Sequence, residues 1–265
     1  RWIFQDAGVQ GEEITRRIVE GLPDHLTAGG RLYCLALGAD QRGRPLEDRI
    51  RAWLGVAQAE FDVLVAAVET HTPEQIASQP LLRGEITQKE YASRRASFAR
   101  AEIEAFVYGL FIVQRAGRPG RAPFTVRRQM GARTGSAELE WAVRWESMAS
   151  SAEAQSLLLE SRPARSRDLE LCVVHRPREG ALEPQDFNLQ TDYPFSMESR
   201  VPPWTAALIA ACDGVRTGRE LRAYCVEDGL ISDAVPAADF ARLLGSLVSG
   251  GFLEIEACPL PRSAD

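Results

Sequence analysis

Lysine is all but missing from this chain. Lys89 stands alone, and arginine supplies the rest of the 31 basic side chains. Nothing local demands that choice, so it reads as a composition bias and not as a site. Also missing is any run of about 18 apolar residues, which a membrane-spanning helix needs. Histidine occurs three times, scattered without ligand spacing, and this argues against a zinc site. Cysteine is sparse and odd in number: Cys34, Cys172, Cys212, Cys225 and Cys258 are widely spaced in mostly apolar surroundings. They read as reduced, buried thiols of a cytoplasmic protein, not as a disulfide framework.

What is present is the composition of a soluble globular protein: 45% apolar and 26% charged residues over 265 positions, enough for one large domain or two ordinary ones. The net charge of −6 is divided unevenly. Residues 1–130 carry 18 basic and 16 acidic side chains, whereas 131–265 carry 13 and 21. An acidic second half argues against broad nucleic-acid affinity there, since duplex binding relies on neutralising phosphates.

Along the chain, a helix is expected over 11–22 with Ile14, Ile18, Val19 and Leu22 as its apolar stripe, ending before Pro23. Gly29-Gly30 then closes a turn, and 31–37 forms a strand apolar on both faces, as a central strand covered by helices must be. Pro45 opens a second helix through Leu46, Ile50, Trp53 and Leu54. A second apolar strand covers 61–68, and an insert over 71–104 holds a helix opened by a Thr87/Glu90 capping box. Two β-prone segments follow, 105–113 and 124–128, joined by a Gly/Pro-rich turn. A boundary falls near 130–136. Beyond it, one helix carries Leu139, Ala142, Trp145 and Met148, and the next is opened by Ser150. The segment 161–167 reads as loop, 169–174 as strand and 187–201 as extended. Helices are expected at 204–211, after a Thr217/Glu220 capping box, and at 239–248, with a strand after Gly250-Gly251.

Two phrases bear on function. One is Asp6-Ala7-Gly8-Val9-Gln10-Gly11-Glu12-Glu13, and the other runs from Asp24 through Gly29-Gly30 to the strand ending at Leu37. Their order, with the helix, strand, insert and strand that follow, resembles the C-terminal half of a class I S-adenosylmethionine-dependent methyltransferase of the small-domain type. The resemblance covers about residues 1–130. It implies an α/β fold: a partial Rossmann-like sheet with an antiparallel hairpin of the last strands at its edge. It also implies S-adenosylmethionine as methyl donor and a nitrogen or similar nucleophile, on protein, RNA or a small molecule, as acceptor. The family's glycine-rich donor loop, the acidic residue ending its second strand and its Asn-Pro-Pro-Tyr-like motif have no counterpart here, so the chain is expected to be the C-terminal portion of a longer enzyme. On its own it should be inactive, with no donor-binding residue to assign.

Substrate-binding candidates follow from position. Asp6 would follow the absent catalytic motif. Gly38, Asp40 and Arg42 lie just past the 31–37 strand, where open α/β sheets collect ligands, and His71 lies past the second strand. Arg83, Arg94, Arg95 and Arg100 of the insert could hold an acidic group or form a wet helix face. From about residue 200, three short helices and a strand resemble a winged helix, so 131–265 is expected to be a mostly helical accessory domain. Its third helix offers only Arg242, Ser246 and Ser249 toward a ligand, too few side chains for a specific DNA reader. A protein partner docking through 200–256 is the alternative function, that of a non-catalytic interaction module.

Overall fold

Strands that are apolar on both faces need cover on both sides, and this requirement organises the first half of the chain. The computed structural model describes residues 12–117 and 121–261. By contact it divides into two units, 1–128 and 129–265, and no described helix is long and apolar enough to cross a membrane.

In the first unit, helix α1 (Glu13–His25) precedes strand β1 (Arg31–Gln41). The helix runs three residues past the end expected at Leu22, with Pro23 inside it. Proline removes one donor there, but the last turn is held by Leu26 N–H on the Leu22 carbonyl at 2.9 Å and by His25 Nδ1 against the Gly21 carbonyl at 2.7 Å. Gly29 makes the turn into β1 with φ of +79°, a conformation that glycine adopts without strain. Helix α2 (Leu46–Trp53) and a 3-10 turn (Gly55–Glu60) lead to β2 (Phe61–His71). Leu46 and Ile50 of α2 are fully buried, each worth about 1.5–3 kcal/mol. The insert folds as α3 (Pro73–Leu82) and α4 (Gln88–Arg100), each opened by a capping box, at Thr72/Gln75 and at Thr87/Glu90.

Strand β3 (Ile103–Arg115) corrects the expected edge hairpin. It lies between β1 and β2, antiparallel to both, and β4 (Thr125–Gln129) pairs on the far side of β2, giving the order β1-β3-β2-β4. The reason is burial: Val107, Phe111 and Val113 fill one face of β3, and Phe106 and Ile112 are buried on the other. A central place covers both faces, whereas short, arginine-bearing β4 suits an edge. β4 is fastened to β2 by Val63 N–H on the Phe124 carbonyl at 3.0 Å and by Phe124 N–H on the buried Asp62 carboxylate at 3.2 Å. One face of the sheet packs Leu32, Cys34, Ala36, Val63, Val65 and Phe111 under α1 and α2. On the other face, Ala77 of α3 and Phe98 of α4 cover Ala39 and Phe106.

The second unit starts with α5 (Ser136–Ala149), which buries Trp141 and Trp145, and α6 (Ala154–Glu160). Ser150 does not open α6. It closes α5 instead, its hydroxyl donating to the Glu146 carbonyl at 2.8 Å. A three-stranded antiparallel meander follows, β6 (Glu170–Arg178), β7 (Ala181–Thr191) and β8 (Met197–Val201), so the unit carries more sheet than a mostly helical domain would. Helices α7 (Pro203–Ala211), α8 (Gly218–Glu227) and α9 (Ala237–Ser249) form, with the Thr217/Glu220 box in place. The two-residue β9 (Leu253–Glu254) pairs with β5 (Ala164–Arg165), which precedes the helices in the chain. After β9 the chain turns back through an Ile255–Cys258 bridge. Ala164 of β5 also bridges Asp213, which follows α7, so β5 joins residues on both sides of α8 and α9.

Candidate functional site

Because β1 and β2 both run antiparallel to β3, their carboxyl ends lie at the same end of the sheet. Ala39, Phe106 and His71 share one row across the three strands, which puts His71 about 10 Å from β1. Gly38, Asp40, Arg42 and His71 are thus gathered at one end, and the α3–α4 insert packs over that end through Ala77 and Phe98. Asp6 lies outside the described residues.

The partners of each candidate define its work. A Cβ on Gly38 would come within 2.5 Å of Leu46 Cδ1, so this glycine gives room to a buried leucine. Asp40 Oδ1 accepts the Leu46 N–H at 2.8 Å at the start of α2, and its two oxygens take Arg127 Nη2 and Nη1 at 2.6 and 2.8 Å. Arg127 also donates to Glu47, through Nε at 2.9 Å. Burial alone would raise the Asp40 carboxyl, but the bonds from Arg127 and the Leu46 amide prevail and hold it below the usual carboxylate range. For Arg127 burial opposes the charge, and Asp40 and Glu47 more than restore it, so its pKa lies above the ordinary arginine value. Arg42 is exposed beside Glu102 and Glu104, at 3.5 and 3.8 Å. His71 Nε2 sits 3.0 Å from Glu69. In the insert, Arg95 pairs with Glu74 at 3.0 Å and Arg100 donates to Ser97 at 3.1 Å.

One pair at this end escaped the sequence reading. Glu12 and Arg49 are both buried and form an ion pair. The Glu12 carboxylate also accepts the Ala39 N–H, and Arg49 donates to the Ala39 carbonyl. The guanidinium lies 5.4 Å from the centre of the Trp53 ring. A usable signal existed: Leu46, Arg49, Ile50 and Trp53 share a face at helical spacing, so the charge stands on the apolar side of α2. The pair holds the start of α1 against the end of β1, and its role is positional.

The second unit has a polar cavity of about 490 Å³, lined by Arg133, Asp168, Gln190, Asp192, Ser196 and Glu198 among others. Arg133 is engaged there with Asp168 at 2.5 Å and lies 4.9 Å from the Tyr193 ring centre. The Tyr193 hydroxyl donates to Glu138 at 2.7 Å, and burial followed by that bond raises its pKa. On α9, Arg242 pairs with Asp239, and Phe240, Leu244 and Leu247 are buried.

These groups hold backbone and ion pairs in place, and none forms a nucleophile–base couple. Leu46 fills the space beside Gly38, and Asp40 is committed to Arg127 and to the start of α2. No protein-family model and no curated protein matches this chain.

Proposed function

We propose that the first unit is the C-terminal part of the catalytic domain of a class I S-adenosylmethionine-dependent methyltransferase acting on a nitrogen or similar nucleophile, with the second unit as its accessory domain. One observation carries this reading: β1 and β2 lie in one sheet with their carboxyl ends aligned and β3 antiparallel between them. A ligand crevice in an α/β sheet opens at that end. The donor would be held by residues upstream of this chain. This chain's contribution is to form and rigidify one wall of the acceptor crevice, through the Glu12–Arg49 clip on Ala39 and the Asp40–Arg127–Glu47 network. Methyl transfer to a neutral nitrogen needs a positioned lone pair more than a base, so His71 is not required as one.

The test is calorimetry with S-adenosylmethionine on this 265-residue chain and on the chain extended upstream in its native reading frame. Binding by the extended protein alone is the expected result, and no binding by either removes the reading. The second reading is a non-catalytic interaction module. It is favoured by the structural engagement of each described candidate residue at the sheet end, and the same negative result would support it.

A further inference from the structure

The meander of the second unit treats its charges differently at its two ends. Opposed residues of paired strands point to the same face of a sheet, so Glu170 of β6, Gln190 of β7 and Glu198 of β8 form one row. Cys172, Asn188 and Arg200 form the next row on that face, and Asp186 lies two positions further along β7. There the ions are paired: Asp186 takes Arg200 and, at 3.4 Å, Arg176. The Glu170 row instead borders the polar cavity of about 490 Å³, which Arg167 also lines. In its wall Arg133 and Asp168 neutralise one another. The side chains of Arg167, Glu170 and Glu198 have no hydrogen bond or ion pair among the described residues. Both signs of charge thus face one cavity unpaired, although Arg200 stands two positions from Glu198 on the same face. The volume is that of a small-molecule site, about 300–1,000 Å³, and the polar lining suits a ligand that brings charges of its own.

We infer that this cavity binds a basic amino acid of the lysine or arginine type, its carboxylate on Arg167 and its two cationic groups on Glu170 and Glu198. Each part of the ligand answers an unpaired group. A guanidinium offers a carboxylate two parallel N–H donors, and a carboxylate accepts well from ammonium or guanidinium groups. A diamine would leave Arg167 without a counter-ion, and a neutral amino acid would leave one glutamate without one. Charge balance agrees. With Arg133 and Asp168 cancelling, Arg167 stands against Glu170, Asp192 and Glu198, so a ligand with one positive charge in excess is favoured over a neutral zwitterion. Glu170 and Glu198 are two strand spacings apart, about 9–10 Å, a span that an extended lysine or arginine held between two glutamate side chains can bridge. Between them the Gln190 Oε1 accepts from the Cys172 thiol at 3.5 Å, which leaves its NH2 group for the ligand. The site belongs to the second unit alone and lies outside the methyltransferase reading.

The experiment is an NMR titration of this chain with L-lysine and L-arginine at low ionic strength, where exposed charges are least screened. At least one of the two should bind saturably with a Kd of about 1 mM or tighter and shift the side-chain amide resonances of Gln190. Cadaverine and agmatine lack the carboxylate, and L-norleucine lacks the second cation; each should bind about tenfold more weakly. Arg167→Gln should remove the preference for the amino acid over its decarboxylated analogue. Glu170→Gln and Glu198→Gln should each weaken the amino acid by about tenfold. The three side chains hold no partner in the fold, so all three variants should melt as the parent does. Absence of saturable binding by both amino acids overturns the inference. So does equal or tighter binding of a diamine or of L-norleucine, and so does amino-acid binding that any of the three variants leaves unchanged.

Discussion

Removing the Glu12 carboxylate should unfold the first unit far more readily than its single charge suggests. Glu12→Ala leaves the Arg49 guanidinium buried without its counter-ion and the Ala39 N–H without its acceptor. Breaking one partner out of a buried pair costs about 3–5 kcal/mol. With a urea slope of about 1–3 kcal/mol per molar, the midpoint should fall by roughly 1 M or more. The double change Glu12→Leu/Arg49→Met removes both charges and fills the space with apolar atoms. It keeps the cost of the two Ala39 backbone groups, about 1–3 kcal/mol each, and so should be clearly less unstable than the sum of the two single changes. Unfolding is best followed through 5-fluorotryptophan by fluorine NMR, because Trp53 lies under the Arg49 guanidinium and Trp141 and Trp145 report separately on the second unit. A loss below about 1 kcal/mol for Glu12→Ala, or a double variant as unstable as the sum of the singles, would refute the assignment of this pair as a coupled clip.

Three further outcomes are expected. Gly38→Ala should cost about 1–3 kcal/mol by overpacking, because Leu46 is fully buried and cannot move away cheaply; adding Leu46→Ala should relieve the clash in thermal melts while leaving the cost of the cavity. Asp40 has a depressed carboxyl pKa in the fold, so its contribution is complete above the unfolded value near 4 and is lost as pH falls through the lower folded value. Asp40→Asn should therefore destabilise at pH 7 and flatten the acid limb of stability against pH, and an unchanged acid limb would remove the Arg127 network from the account. Among the thiols, Cys212, Cys225 and Cys258 are buried, and burial pushes Cys212 up to about 12. Native labelling by a thiol reagent should reach Cys172 and Cys34 first and the other three only on unfolding, with fast labelling of Cys212 as the contrary result.

Local features were legible in the sequence, and pairing was not. The Thr87/Glu90 and Thr217/Glu220 boxes, the turn at Gly29 and the apolar strands at 31 and 61 stand where their residues predict, because each is decided within a few positions. A further box, Thr72-Pro73-Glu74-Gln75, was equally readable and escaped notice. The place of β3 was not local: 103–115 could have paired with the segment after it, and burial of both its faces between β1 and β2 decided otherwise. The meander of the second unit was blurred for a related reason, since most of β6 is exposed and shows little alternation to read. Site candidates fared likewise. Position near the carboxyl ends of β1 and β2 placed Gly38, Asp40, Arg42 and His71 at one end of the sheet, but the partners of the first three come from α2, β4 and the start of β3, which sequence spacing does not reveal; His71, beside Glu69 two positions back, has one that spacing does. A charge on an apolar helix face is the exception. Arg49 among Leu46, Ile50 and Trp53 requires a buried partner on physical grounds, since an unpaired charge there is too costly to keep. That requirement leads from the sequence to Glu12, and from the pair to the backbone of Ala39 at the end of β1.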